Sequence, residues 1–266
     1  MSIKVLVTGA NGQLGKTIEE LFADNNDNIH FTFASKEALD ITDQQQVTSF
    51  IKKSKFDYCI NCAAYTNVEQ AEKTPKPAYL INSEAVKYLA EASKAHNVVL
   101  IHISTDYVFD GIKNQPYTVN DKTNPINEYG KSKLLGEQYI AQTMDAYFII
   151  RTSWLYSKKY GKNFYKTVLN KAKAGERLSI TSAQKSCPTN TISISNFIYE
   201  FILSSSKNYG LYHFSDETEM TWYDFAKEIA KENDIEDTKI ERSEAYKTFA
   251  QRPRYSVLNN NNNKSW

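Results

Sequence analysis

A chain of 266 residues, 41% hydrophobic and 24% charged, has enough apolar side chain to bury a large core, which excludes disordered and fibrous classes. Lysine and arginine number 32 against 31 acidic residues, a net charge of +1 with no run of like charge, so no nucleic-acid partner is expected. No apolar stretch is long enough to span a bilayer, no leader pattern precedes the first strand, and three scattered cysteines make no disulfide framework; the expectation is a cytoplasmic protein with no membrane partner.

In chain order, Ile3–Thr8 reads as a buried strand, followed by a helical face of Leu14, Ile18, Leu21 and Phe22. Strands are expected again at Ile29–Ala34, Phe56–Asn61, Val98–Ser104 and Ala146–Arg151. A helix over Ala78–Ala95 would turn Tyr79, Val86, Leu89 and Ala90 inward. This alternation predicts an α/β fold, a parallel sheet with helices on both faces. Cys59 and Cys62 form a C-x-x-C at a strand end with no second ligand pair, which reads as core packing. Past Arg151 the rhythm loosens, and a helix over Asn163–Ala174 closes at Gly175. Ile192–Leu203 and Gly210–Phe214 then read as a helix and strand returning to the sheet. Thr221 starts a last helix, with Asp224 at the capping-box position and Trp222, Phe225, Ala226 and Ile229 as its buried stripe. The polar run Asn259–Asn263 is expected to fray.

Between the first strand and the first helix lies Thr8-Gly9-Ala10-Asn11-Gly12-Gln13-Leu14-Gly15. Gly9 suits a tight turn, Gly12 an approach of backbone to pyrophosphate, and Gly15 close packing of the helix on the strand, with the helix N-terminus facing negative charge. Gly9, Asn11, Gly12, Gln13, Leu14 and Gly15 are therefore cofactor-binding candidates in a Rossmann-type doubly wound parallel sheet with a smaller C-terminal substrate-binding cap. The expected division is 1–152 plus 190–216 for the NAD(P)-binding domain and 153–189 plus 217–266 for the cap. The second strand ends in Ala34-Ser35-Lys36, where an acidic residue would repel a 2′-phosphate. Ser35 and Lys36 favour NADPH and admit NADH, while a solvated Lys36-Glu37 pair is the plainer reading of the same residues.

Tyr129-Gly130-Lys131-Ser132-Lys133 sets a tyrosine and a lysine one helical turn apart on one face. An adjacent ammonium would bring the phenol toward the working range, and Lys133 would also reach the nicotinamide ribose. Thr105, at the carboxyl end of the fourth strand, can hold the same substrate oxygen as Tyr129. In a chain with 18 tyrosines the spacing alone means little; its place after the glycine loop and the Ser104-Thr105-Asp106 strand end carries the weight.

These segments, with Leu39-Asp40-Ile41-Thr42-Asp43, Asn61–Glu69, Ser104–Gly111, Arg151-Thr152-Ser153-Trp154 and Arg252-Pro253, resemble the extended short-chain dehydrogenase/reductase superfamily and, within it, the dTDP-4-dehydrorhamnose reductases. The resemblance implies NAD(P)H-dependent reduction of the C4 ketone of a dTDP-linked 4-keto-6-deoxy-L-sugar, in nucleotide-sugar and cell-surface polysaccharide biosynthesis, with Thr105, Tyr129 and Lys133 catalytic. It implies Asp40 and Ile41 beside the adenine, Ala63, Ala64 and Tyr65 along the ribose side, and Asn82 behind the site. It also implies Val68, Thr105, Asp106, Tyr107 and Trp154 against the substrate. Asp40 equally suits a helix cap and Trp154 a cap-core position. Relatives carry an Asp-Gln pair and a glycine before Pro-Thr where this chain reads Ala183-Gln184-Lys185-Ser186-Cys187-Pro188-Thr189, and they run on through another helix after Ser256-Val257-Leu258. The acidic positions that hold magnesium at a dimer interface in some relatives have no match, so no metal is expected, and a homodimer stays open. The rival readings are a reductase, epimerase or dehydratase of another nucleotide sugar, and a non-catalytic NADP-binding regulatory subunit.

Overall fold

In the computed structural model, which describes residues 2–24, 27–235, 237–243 and 248–261, Leu6 of strand β1 (Ile3–Thr8) faces one side of a sheet and Val5 and Val7 the other. All three are fully buried, so β1 must lie inside a sheet covered on both faces. The neighbours are β2 (Ile29–Ala34), β3 (Tyr58–Asn61), β4 (Val99–Thr105), β5 (Tyr147–Thr152) and β6 (Gly210–His213). Their order is β6-β5-β4-β3-β1-β2 and every pairing is parallel, as the α/β reading requires. The order reverses between β1 and β3, which opens a crevice at their carboxyl ends.

Helices α1 (Gln13–Phe22) and α6 (Thr191–Leu203) cover one face, joined by Phe22 stacked on Tyr199 at 4.0 Å. The other face carries α2 (Gln44–Ser54), α3 (Ala85–Ala95) and α4 (Glu128–Thr143). Leu21, expected inward, is exposed, because the buried face of α1 is narrower and runs through Leu14, Thr17 and Ile18. The helix expected over 78–95 is interrupted by a wide π turn at Leu80–Glu84 that buries the polar Asn82 and Ser83. Such turns collect at functional sites. Asn82 here closes on both backbone groups of Tyr65, accepting from its N–H at 2.9 Å and donating to its carbonyl at 3.0 Å.

A separate apolar cluster forms beyond the sheet from α5 (Phe164–Lys173), α7 (Trp222–Glu232) and the strand Leu178–Thr181, which pairs in parallel with Ile240–Ser243. The capping box at Thr221 is present in both directions, with Asp224 N donating to Thr221 Oγ1 and Thr221 N to Asp224 Oδ2, each at 3.1 Å. The final described stretch packs Leu258 with Val108, Phe109 and Tyr117. Asn259 and Asn260, expected to fray, are tied down instead: Asn259 N donates to Tyr117 O, and Asn260 exchanges two hydrogen bonds with the backbone of Ser215. Asn262 and Asn263 lie outside the described residues. Among the described residues no helix is long and apolar enough to cross a membrane.

Helix α4 is seated by a buried bidentate pair. Arg151 of β5 donates from Nε and Nη2 to the two carboxylate oxygens of Glu137 at 2.9 and 2.6 Å, and Ser104 of β4 adds a third donor at 2.5 Å. Removing one partner of such a pair strands the other charge. Glu137→Ala should therefore lower unfolding stability by about 3–5 kcal/mol in denaturant titration. Glu137→Leu combined with Arg151→Met should recover most of that loss; equal losses in the single and double variants would show that the pair does not hold the helix.

Candidate active site

Strand β4 ends at Thr105, and Asn127 caps the helix that faces it. The Asn127 carboxamide oxygen accepts from Gly130 N at 2.8 Å while its Nδ2 donates to Gln251 O at 2.8 Å. This cap puts Tyr129 in the first turn of α4 and Lys133 one turn deeper, on the face toward β4. Thr105, Asp106, Tyr129 and Lys133 line one cavity of about 510 Å³, whose far wall is Gly12, Gln13 and Leu14. A second cavity of about 250 Å³ shares Gly12, Cys62 and Ala64 with it and runs on past Lys36, Asp40 and Ile41.

At the turn between β1 and α1, Gly9 adopts φ +65°, and a Cβ there would lie 2.6 Å from Ala63 N, so only glycine fits. Gly15 is close-packed, though against the loop rather than the strand: its Cβ would meet Ala10 Cα at 2.7 Å. Gln13 ties the loop to two other residues that line the cavity, donating to Leu155 O at 3.0 Å and accepting from Asn163 Nδ2 at 3.0 Å.

The electrostatics differ from the expectation for the tyrosine. Burial pushes the Tyr129 phenol above its ordinary value, and a hydrogen bond with Thr105 offsets this only in part. Lys133 Nζ is held instead by the Ile103 carbonyl at 2.6 Å and by His102 Nε2 at 3.2 Å. Burial brings Lys133 itself down to about 8 and holds His102 well below its usual range. The Asp106 carboxyl is pushed up to about 7 by burial, although Ser256 Oγ donates to it at 2.5 Å and Thr105 Oγ1 at 3.1 Å.

Of the other candidates, Trp154 lines the main cavity with its ring stacked on Trp222 at 3.5 Å, 8° from parallel. Ala63 lines the second cavity. Asp40 does not cap the following helix. Its carboxylate accepts from Thr42 N and Oγ1, while Asp43 caps α2. Lys36 is 76% exposed, its Nζ 4.0 Å from Asp40, and the Ser35 hydroxyl is engaged by Glu37. Tyr65, Asn82, Val68, Asn11, Ser35 and Tyr107 are not among the lining residues. Tyr107 instead lies buried with its ring edge-on to Tyr129 and its hydroxyl accepting from Arg252 Nη1 at 3.2 Å.

Trp222, read from periodicity as part of a buried stripe, is half-buried and faces the cavity, joined there by Phe164. An aromatic at the first position of a capped helix was the available signal, because the first turn projects past the packed face. Thr152, at the end of β5, has a buried hydroxyl without a partner and also lines the cavity.

The chain matches the family model described as RmlD substrate binding domain over residues 3–265. It is 38% identical to a dTDP-4-dehydrorhamnose reductase of Aggregatibacter actinomycetemcomitans, covering 96% of this chain and 90% of that one. A spore coat polysaccharide biosynthesis protein of Bacillus subtilis is also 38% identical, over 96% and 88%. The crystal structure of dTDP-4-dehydrorhamnose reductase from Bacillus anthracis in complex with NADP superposes with a TM-score of 0.93 at 37% identity, covering 98% of this chain and 91% of that one.

Asp106 makes the site sensitive to pH in a defined direction. With its carboxyl raised from 3.8 to about 7, the native state keeps a proton that the unfolded chain has already released. Its stabilising contribution is complete below the unfolded value and is lost as pH rises through the native one. The stability of the wild type relative to Asp106→Asn should therefore fall between about pH 4 and 7 in denaturant titrations. A difference that stays level across that window would contradict the raised value.

Proposed function

The chain belongs to the RmlD substrate binding domain family, and on that premise we propose that it reduces the C4 ketone of dTDP-4-dehydro-L-rhamnose to dTDP-L-rhamnose with NADPH. The observation that carries the reading is the convergence of Thr105, Tyr129 and Lys133 in one cavity that continues to the glycine turn. A dinucleotide suits these residues. Helix α1 has Gly12 at its N-cap, no side-chain cap and no acidic residue in its first turn, so its leading N–H groups are open to pyrophosphate. The second cavity, with Ile41 as an apolar wall and Asp40 and Lys36 at its rim, fits the adenosine end.

When bound, the cofactor supplies the hydride. Tyr129 supplies the proton: its phenol, kept neutral by burial, gives its hydrogen to the C4 oxygen as that oxygen gains the carbonyl electron pair. The products are one new C–H and one new O–H bond at C4, and the phenolate regains its proton from solvent. Thr105 orients the same oxygen from the end of β4. Lys133 holds the ribose side, and the Trp154-Trp222 pair covers the apolar face of the sugar. In this reading residues 1–152 plus 190–216 serve the cofactor and 153–189 plus 217–266 the substrate, which the separate apolar cluster of α5 and α7 supports. The reading places the reaction in the cytoplasm and allows a homodimer.

Two outcomes test it. Tyr129→Phe should lose roughly 100- to 10,000-fold in turnover while NADPH affinity stays nearly unchanged, and full activity would end the assignment. NADPH must be consumed one for one with sugar reduced; a new sugar without net consumption would mean an epimerase or dehydratase. For the cofactor, Lys36→Ala should raise the KM for NADPH by about tenfold and leave that for NADH unchanged, and equal effects on both would remove Lys36 from the 2′-phosphate.

A further inference from the structure

Beneath the cavity, four side chains from four elements form one line: Thr8 of β1, Asn61 of β3, His102 of β4 and Lys133 of α4, all at most 2% exposed. Thr8 Oγ1 donates to Asn61 Oδ1 at 2.7 Å, Asn61 Nδ2 meets His102 Nδ1 at 3.0 Å, and His102 Nε2 meets Lys133 Nζ at 3.2 Å. The line ends where Lys133 Nζ donates to Ile103 O at 2.6 Å.

Its direction is settled at Asn61. The Ala63 backbone N–H, which can only donate, lies 3.2 Å from Asn61 Oδ1, so that atom is the amide oxygen and Nδ2 faces the imidazole. Nδ2 can only donate, so His102 Nδ1 must accept. A neutral imidazole carries a single N–H, which is then on Nε2 and points at Lys133. An imidazolium would set a second N–H against Nδ2, and a flipped amide would set its hydrogens against Ala63. An ammonium at Lys133 has no lone pair and would meet the imidazole N–H donor to donor, whereas an amine accepts it.

We propose that Thr8, Asn61 and His102 form a one-way hydrogen-bond relay that presents an N–H to Lys133 and so favours its amine over its ammonium in the ligand-free protein. His102 is thus a positioning residue acting through Lys133. The relay starts one residue before the turn glycine Gly9, so the phosphate loop and the lysine share one polar frame. Burial acts in the same sense on both Lys133 and His102. The other titratable or charged groups around the lysine are Tyr129 and Glu137 on α4, Asp106 beyond β4 and Arg151 on β5. Glu137 favours the ammonium, as does Asp106 once ionised, but the Glu137 carboxylate already accepts from Arg151 and Ser104.

The relay does not depend on which sugar is reduced; its effect on turnover rests on the reduction proposed above. Imidazole ¹⁵N spectra of the ligand-free protein test it directly, with His102 assigned among four histidines by the signal lost in His102→Gln. The neutral Nε2–H tautomer is expected at about pH 8 to 9, where Lys133 gives up its proton, and an Nδ1–H tautomer or a protonated ring there would overturn the proposal. In ¹³C-lysine spectra, His102→Gln, whose carbonyl can turn to the ammonium, should raise the proton affinity of Lys133 by about tenfold. An identical Lys133 titration in both proteins would also overturn it. The alkaline limb of kcat/KM should move with the lysine; a shifted Lys133 titration with an unmoved limb would leave the relay standing and count against the reduction assigned to this site.

Discussion

The bidentate pair between Glu137 and Arg151 is almost wholly out of water, with side chains 6% and 4% exposed, and it lies on the same helical face as Tyr129 and Lys133. Residues 129, 133 and 137 follow one another at single-turn intervals, so whatever fixes the third fixes the depth and rotation of the other two. Ser104 completes the constraint from β4, the strand that ends in Thr105. Three elements that each contribute to the site are thereby joined at one carboxylate. The arrangement is specific because both charges and the added donor must be met in one geometry, and an approximate fit would leave a buried charge uncompensated.

The same burial governs the chemistry above the pair. Tyr129, Lys133, His102 and Asp106 are all shifted toward their uncharged forms by loss of water. A phenol whose value is raised stays protonated at neutral pH but is a weaker acid, so in the proposed reduction its transfer would be driven by the greater basicity of the alkoxide that forms. Tuning by an adjacent ammonium, the explanation offered by spacing alone, would need Lys133 charged and turned to the phenol. The Ile103 carbonyl and His102 hold it instead.

Much of this was legible in sequence because it follows from short-range rules. The glycine loop, the strand end at Thr105, the Tyr129-Lys133 spacing and the Thr221 capping box each lie within a few residues, and the parallel sheet follows from strands alternating with helices. What escaped depends on pairings across more than a dozen residues. Glu137 carries no local signal of burial, because its partner Arg151 arrives from β5. His102 reads as one polar residue in a buried strand, and its role appears only when Asn61 and Lys133 close on it from either side. Asn259 and Asn260 look like unstructured polar chain because their partners, Tyr117 and Ser215, lie far upstream.

The loop before Pro188 reaches the site by two short routes. Gln184 accepts from Trp222 Nε1 at 2.9 Å, and Trp222 carries the ring on which Trp154 stacks. Trp154 holds a positive φ of 44°, a conformation costing of order 1 kcal/mol or more for a bulky residue, and the stacked partner is the contact that compensates it. The second route passes through Lys185, whose carbonyl accepts from Ser256 N at 2.9 Å, to the Ser256 hydroxyl bonded to Asp106. A sequence change in this loop therefore acts on the tryptophan pair and on the carboxyl beside Thr105, while the Tyr129-Lys133 face is held independently by Glu137 and Arg151. A change in this loop can then alter the tryptophan pair and the Asp106 carboxyl without disturbing the Tyr129-Lys133 face.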